Sequence, residues 1–262
     1  LSQIARSDWS AIEPSILGTL FERSLDPEKR SQIGAHYTSR DDILLIVEPV
    51  IMAPLRKEWE EAREKAEAVL VKGDERAALK HVKAFHDRLA SVRVLDPACG
   101  SGNFLYVAIR QLLDLEKEVL TFASGTLQKR LEQRVRPTQL RGIEINPYAA
   151  ELARVSAWIG FLKWQRENGI VDERRPILDA LETIECRDAI LDLSDPKKPK
   201  AAEWPRADFI VGNPPFLGTK MLRGGLGDEY VEALFSVYAD RIPGFSDLCC
   251  YWYYLSLKAM DN

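Results

Sequence analysis

Two short segments of the 262-residue chain contain the residue types that most often bind a ligand and carry out chemistry. Residues 96–102 read DPACGSG, and residues 213–216 read NPPF. Glycines let the backbone turn sharply and approach a ligand closely because they have no Cβ atom. Two successive prolines fix the backbone and remove two N–H donors. The first segment therefore predicts a ligand-binding turn, and the second predicts a rigid group of hydrogen-bond acceptors.

The glycine turn lacks the features of two common nucleotide-binding loops. Leu105 stands where the dinucleotide fingerprint has its third glycine, and the Gly-Lys-Ser/Thr of the phosphate loop is absent from the sequence. Asp96 lies four residues before Gly100, where a carboxylate would repel an anionic group and attract a cationic one. A sulfonium cofactor with an α-amino group fits these charges.

Two further acids end the next two predicted strands. Glu144 ends the predicted strand QLRGIE, where a carboxylate can accept hydrogen bonds from ribose hydroxyls. Asp188 ends TIECRD and could accept from an adenine amino group. Each acid alone is often a solvated residue at a strand end. Three of them at successive strand ends, the first beside a glycine turn, predict one adenosyl-type ligand.

The NPPF tetrad follows the apolar run FIVG. Because the prolines remove N–H donors, the Asn213 side-chain oxygen and the Pro214 carbonyl remain as convergent acceptors. Two acceptors aimed at one point suit an amino group that loses a proton while its nitrogen attacks. Phe216 offers a ring face on which a planar group can stack. Pro-Pro alone would indicate only a rigid loop, and its neighbours Asn213 and Phe216 favour a functional one.

Alternating strand and helix patterns position these segments. Predicted strands end near Asp96, Glu144, Asp188 and Asn213, and helices are expected over 103–120 and 147–165. Such alternation predicts an α/β fold with a parallel sheet, and open sheets of this kind bind ligands at the carboxyl ends of their strands. Residues 192–206 are expected to form a surface loop.

The first part of the chain has the periodicity of helices. We expect helices over 8–25 and 41–51, with Thr38 or Ser39 capping the second, and one or two more over 55–91, divided at Gly73-Asp74. The chain is therefore divided into a helical N-terminal segment, 1–91, and a core, 92–262. It starts at Leu1 rather than Met and stops just after an apolar stretch, which suggests a fragment that lacks the last strands.

Composition excludes several classes of protein. Hydrophobic residues make up 46% and charged residues 29%, as in globular chains. A net charge of −4 argues against a wholly basic nucleic-acid-coating protein but leaves room for a local basic cleft. No transmembrane run, secretion pattern or metal-site spacing of Cys and His occurs in the sequence, so we expect a cytoplasmic protein with no metal and no membrane partner.

These residues together resemble the amino-methylating DNA methyltransferases, which use S-adenosylmethionine (SAM). DPACGSG looks like their motif I and NPPF like their motif IV, and GAHYTS (34–39) upstream of both looks like the gamma arrangement. The segment SLDPEKRSQIGAHYTSRDDI is closest to the methyltransferase domain of Type IIL (MmeI-like) restriction–modification enzymes. The resemblance implies a Rossmann-like class I SAM-dependent methyltransferase fold with a helical N-terminal extension.

The resemblance also assigns roles to individual residues. It places Tyr37 and Thr38 near the methionine end of SAM, and Glu144 at the ribose with Ile145 against the adenine ring. The remaining cofactor residues would be Asp96, Ala98, Gly100 and Gly102 in the turn, with Asp188 and Ala189 at the adenine edge. Asn213, Pro214, Pro215 and Phe216 would hold a flipped adenine, and Asp247-Leu248 resembles the start of motif V.

The implied activity is methylation of adenine N6 in double-stranded DNA, as the modification part of a restriction–modification enzyme. The family's target recognition and endonuclease domains would lie outside this chain. Alternatives are methylation of protein glutamine, RNA guanine or cytosine N4, and a SAM-binding module without turnover. Phe216 and the GAHYTS segment speak against the first two acceptors, since those enzymes usually carry Tyr and lack GAHYTS. Enzymes acting on cytosine N4 more often carry Ser in place of Asn213.

Removing the acid of the glycine turn tests the expected cofactor site. We expect Asp96→Ala to weaken SAM binding, because the cationic cofactor loses the carboxylate that attracts it. Isothermal titration calorimetry measures the affinity. Unchanged affinity would remove Asp96 from the site.

Overall fold

The computed structural model of the protein describes residues 38–170 and 181–260. Its strands are β1 (Val94–Asp96), β2 (Leu140–Glu144), β3 (Ile184–Cys186), β4 (Leu191–Asp192), β5 (Lys200–Ala201) and β6 (Phe209–Ile210). Its α-helices are α1 (Arg40–Val47), α2 (Ala53–Leu70), α3 (Glu75–Ser91), α4 (Asn103–Gly125), α5 (Pro147–Glu167), α6 (Thr219–Leu226), α7 (Asp228–Tyr238) and α8 (Cys249–Met260). The expected helix over 8–25 lies outside the described residues.

A four-stranded sheet in the order β3-β2-β1-β6 forms the centre of the fold. All three pairings are parallel, and Val94 lies opposite both Leu140 in β2 and Phe209 in β6. The carboxyl ends of the four strands therefore meet at one edge, which confirms the α/β fold with a parallel sheet. Helices flank the sheet, and the long helices α4 and α5 begin at this edge, directly after β1 and β2.

The strands are shorter than the apolar runs that predict them. β6 ends at Ile210, three residues before Asn213, and β3 ends at Cys186, two before Asp188. The polar residues thus stand on loops just beyond the strands. The predicted surface loop 192–206 is wrong in part, because β4 and β5 pair antiparallel there. Buried Leu191 and partly buried Ala201 anchor that pair against an apolar cluster.

The helical segment before β1 shares its core with the sheet domain. Ser39 caps α1, accepting a hydrogen bond from the Asp42 N–H at 3.2 Å. A π-helical turn, Glu48–Met52, joins α1 to α2 at Pro49, which has no N–H to donate. Trp59 in α2 packs on rings of α3 and α4, with centroid distances of 5.2 Å to Phe85 and 5.6 Å to Phe122.

Two buried polar side chains fix how this helical segment meets the sheet. The Glu116 carboxylate in α4 accepts from His86 at 2.8 Å and from the N–H groups of Arg134 and Val135 at 2.5 and 3.0 Å. The Gln139 amide, just before β2, donates to the carbonyls of Leu89 and Val92 at 2.9 Å each. These bonds hold the loop after α4 and set the start of β1 and β2.

None of the helices in the described part of the chain combines the length and the apolar composition that a membrane span requires.

Gly102 is the position where the fold depends most clearly on a glycine. Its φ is +86°, and a Cβ built there would lie 2.8 Å from the Cα of Ala153 in α5. Any side chain would separate α5 from the start of α4 and would also adopt an unfavourable backbone conformation.

We expect Gly102→Ala to lower the free energy of unfolding by about 2–4 kcal/mol, from backbone strain and overpacking together. Gly125→Ala is the matched control, since a Cβ there meets nothing within 4 Å. We expect that variant to be neutral or slightly stabilising. Chemical denaturation of both variants measures the difference, and equal effects would show that the close approach to α5 is unimportant.

Candidate active site

The glycine turn after β1 is pinned to the neighbouring strand. The Cys99 N–H donates to the Ile143 carbonyl at 3.1 Å, and the Gly102 N–H donates to the Cys99 carbonyl at 2.8 Å. Gly100 has φ +52°, and a Cβ built on it meets nothing within 4 Å. The turn is therefore rigid, and the space above Gly100 is open to a ligand.

Asp96 is a carboxylate almost completely removed from solvent. It is 1% exposed, and its Oδ1 accepts a hydrogen bond from the Ala98 N–H at 3.1 Å. Burial raises its pKa to about 7, and the negative charge of Glu144 acts in the same direction. Among residues 38–170 and 181–260, no Lys or Arg side chain forms an ion pair with it. A cationic ligand would supply the missing charge.

Glu144 ties the end of β2 to the glycine turn. One carboxylate oxygen accepts from the Gly100 N–H at 2.9 Å, and the other accepts from the Asn146 N–H at 2.7 Å. Each oxygen keeps a lone pair with which it can accept from a hydroxyl group. Burial raises the pKa of Glu144 as well. Ile145, the next residue in the chain, is 61% exposed, so its apolar side chain is accessible to a ligand.

Asp188 lies just beyond β3 and has well-defined partners. Its Oδ1 accepts from the N–H groups of Ile190 and Leu191 at 2.6 and 3.1 Å, and its Oδ2 accepts from the Tyr230 hydroxyl at 2.8 Å. The neighbouring Ala189 is 7% exposed, and its carbonyl accepts from the Trp204 indole at 2.7 Å. Ala189 thus packs into the protein, while Asp188 is half-buried.

The NPPF tetrad leaves β6 at the same edge of the sheet. The Val211 N–H donates to the Leu95 carbonyl at 2.9 Å, which fixes the strand just before the tetrad. Asn213 is exposed, and its Nδ2 donates to the Thr38 hydroxyl at 3.2 Å. This bond leaves the Asn213 Oδ1 as an acceptor. Phe216 is 56% exposed, so its ring face is accessible to a planar group.

Gly212 joins the glycine turn to the tetrad, and the sequence patterns did not single it out. A Cβ built on Gly212 would lie 2.4 Å from the Asp96 Oδ1. A cavity of about 190 Å³ is shared by the two motifs, with Asp96, Pro97, Gly212 and Pro214 among its lining residues. The backbone before the tetrad therefore forms one wall of the space around the Asp96 carboxylate.

Supporting contacts come from the segment before α8. The Asp247 Oδ1 accepts from the N–H groups of Leu217 and Cys249 at 3.2 and 3.1 Å, and the Leu248 N–H donates to the Leu217 carbonyl at 3.1 Å. The Trp252 indole donates to the Pro97 carbonyl at 3.1 Å. Residues 247–252 thus hold the chain after the tetrad and the chain after β1. Only tertiary contacts reveal this role for Trp252.

The structure brings most of the predicted residues to one edge of the sheet. Asp96, Glu144 and the glycine turn are in direct contact, Gly212 links them to the tetrad, and Thr38 reaches Asn213 from upstream. Tyr37 lies outside the described residues. Cys99, inside the turn, is buried, and burial raises its thiol pKa well above the usual value, as expected for a packing residue.

Comparisons with known proteins point to one family. The family model described as "MmeI, DNA-methyltransferase domain" matches residues 69–262. Over 258 residues, or 96% of this chain, the sequence is 28% identical to DNA methyltransferase A of Bacillus subtilis (strain 168). A Methanocaldococcus jannaschii protein, named as a type II restriction enzyme and methyltransferase, is 28% identical over 178 residues. That match covers 62% of this chain and 15% of the relative.

The comparison with solved structures points to the same family. The Type IIL restriction–modification enzyme MmeI, determined in complex with DNA, superposes with a TM-score of 0.74 at 30% identity. The match covers 97% of this chain and 32% of the MmeI chain. The chain likewise spans 27% of the length of the Bacillus relative. It corresponds to about a third or less of each of these relatives.

Gly212→Ala tests whether the two motifs share the space around Asp96. We expect the added Cβ to displace the Asp96 carboxylate and to weaken binding of the expected cofactor, SAM, about tenfold or more. In an Asp96→Ala background the same substitution meets no carboxylate, so it should weaken binding little further. Calorimetry on the four proteins of this double-mutant cycle measures the coupling. Additive effects would show that Gly212 and Asp96 act independently.

Proposed function

Since the chain belongs to the family of MmeI DNA-methyltransferase domains, we propose that it transfers the methyl group of SAM to the N6 amino group of an adenine in DNA. The adenine would be flipped out of the double helix, and the chain would be the modification part of a restriction–modification enzyme. One observation carries the proposal. Gly212 sets the acceptor tetrad directly against Asp96, the acid expected to bind the cofactor.

The described residues fit a cofactor with the charges of SAM. Asp96 is a buried carboxylate that no Lys or Arg of the described residues pairs with, and the space above Gly100 is open. We propose that Asp96, Ala98, Gly100 and Gly102 hold the methionine end, together with Tyr37 and Thr38. Glu144 and Ile145 would hold the ribose and one ring face, and Asp188 with Ala189 the adenine edge. When bound, SAM supplies a methyl group activated by a sulfonium.

The tetrad would bind and activate the target amine. The Asn213 Oδ1 and the Pro214 carbonyl accept its two N–H bonds and so stabilise the positive charge that grows on nitrogen as the N–C bond forms. Pro215 keeps this backbone rigid, and Phe216 stacks on the flipped base. Positioning the amine at contact distance supplies much of the remaining rate enhancement. The amine loses one proton overall, and no enzyme nucleophile is needed.

The choice of adenine and of DNA rests on the residues of the tetrad and on the family. Protein glutamine, RNA guanine and cytosine N4 remain the alternative acceptors, and a SAM-binding module without turnover is the alternative from another class. We propose that double-stranded DNA is recognised mostly by regions outside this chain, including target recognition and endonuclease domains. The division at residue 92 and the cytoplasmic location stay predictions.

The acceptor is identified by following the methyl group. Full-length protein is supplied with methyl-labelled SAM and, in parallel, with DNA, RNA and cell protein, and each is digested for mass spectrometry. Label in N6-methyladenine from DNA supports the proposal. Label in a protein glutamine, an RNA base or cytosine would overturn the target while keeping the cofactor site.

Asn213→Ala separates chemistry from cofactor binding. We expect methylation to fall 100-fold or more, because a transition-state acceptor is lost, while the SAM affinity changes less than about threefold. Asn168→Ala is the matched control, since Asn168 follows the far end of α5 and accepts from Lys117 at 2.6 Å. Methylation rates and calorimetry report the two effects. Substantial turnover by Asn213→Ala would exclude the proposed role.

A further inference from the structure

Asp188 has an unequal set of hydrogen-bond partners on its two oxygens. Oδ1 accepts two backbone N–H groups, from Ile190 and Leu191. Oδ2 accepts one bond, from the Tyr230 hydroxyl at 2.8 Å. A carboxylate has about four acceptor positions, so the partners among the described residues leave one, on Oδ2. The direction of that last position is set by the bond from Tyr230.

The position of Tyr230 is itself well determined. It lies in the first turn of α7, whose Val231, Leu234 and Tyr238 are buried. The apolar cluster that receives them also contains Ile190 and Leu191, the residues that follow Asp188. Helix and carboxylate are therefore anchored in the same core.

The Tyr230 hydroxyl donates its proton to the Asp188 carboxylate. Burial raises its pKa well above that of a free tyrosine, and the nearby charge of Asp188 acts in the same direction. The hydroxyl therefore keeps its proton, and the proton points to Asp188.

We propose that Tyr230 is a positioning residue that makes the site select a cofactor whose purine carries an amino group. The inference rests on the proposed function, in which Asp188 faces the adenine edge of SAM. With one acceptor position held open, Asp188 accepts from the 6-amino group of adenine. A 6-oxo group, as in inosine, places an acceptor against that acceptor and is rejected. Without the bond from the Tyr230 hydroxyl, the carboxylate is free to turn and accept from the ring N1–H of a 6-oxo purine, so the discrimination weakens.

The test compares two neutral-sulfur ligands, S-adenosylhomocysteine and S-inosylhomocysteine, on the full-length protein. We expect the wild type to prefer the adenosyl ligand and Tyr230→Phe to reduce that preference about fivefold to tenfold. Calorimetry gives both dissociation constants, and their ratio is the readout. A purely structural role for Tyr230 would weaken both ligands alike and leave the ratio unchanged.

Tyr238→Phe is the matched control. Tyr238 lies on the same helix, is fully buried, and donates to the Ile190 carbonyl at 2.7 Å. Its loss removes one buried hydroxyl near the same loop without touching the Asp188 carboxylate. We expect lower stability and an unchanged ligand ratio.

The Asp188→Asn variant distinguishes a failure of the role proposed for Tyr230 from a failure of the proposed function. A reduced ratio in Asp188→Asn and in Tyr230→Phe, but not in Tyr238→Phe, supports the inference. A reduced ratio in Asp188→Asn alone overturns the role of Tyr230 and leaves the proposed function intact. An unchanged ratio in Asp188→Asn overturns the inference at its base. No binding of either ligand to the wild type overturns the proposed function itself.

Discussion

A carboxylate buried at the end of the central strand is the constraint on which the rest of this site depends. Asp96 is 1% exposed and accepts a hydrogen bond from the Ala98 N–H, and burial raises its pKa to about 7. A rise of that size corresponds to roughly 4 kcal/mol of unfavourable free energy when the group is ionised. Because the folded pKa lies above the unfolded one, this group lowers stability as the pH rises from about 4 to about 7. A bound cation would offset that cost, so we expect cation binding at this site to stabilise the folded protein.

The neighbouring sequence follows from this constraint. Gly212 has no side chain because a Cβ would lie 2.4 Å from the Asp96 Oδ1. Gly102 has none because α5 approaches the turn from the other side, and Glu144 holds the turn through the Gly100 N–H. Because Gly212 lacks a side chain, the tetrad can lie next to Asp96. A hydrogen bond to the Thr38 hydroxyl orients the Asn213 side chain. In the proposed reaction, the cofactor and the target amine meet because the glycine turn and the tetrad line the same cavity.

Much of this arrangement could be predicted because it follows from short patterns in the sequence. Strand-end acids, a glycine turn and a Pro-Pro loop follow apolar runs, and parallel pairing necessarily brings their ends together. The roles of Gly212, Tyr230 and Trp252 could not be predicted, since each depends on a partner far away in the chain. Trp252, for example, donates to Pro97 across 155 residues. The β4–β5 pair was missed because its strands have only two residues each, too few for a period to show.

The number of protons released on cofactor binding tests most directly whether the Asp96 carboxylate binds the cationic cofactor. SAM binding to the full-length protein is measured calorimetrically near pH 6.5 in buffers of different ionisation enthalpy, for the wild type and for Asp96→Asn. The wild-type carboxyl is partly protonated at that pH, given its pKa of about 7. A bound cation lowers this pKa, so we expect the wild type to release protons on binding and Asp96→Asn to release fewer. Equal proton release by the two proteins would contradict the proposed role of Asp96.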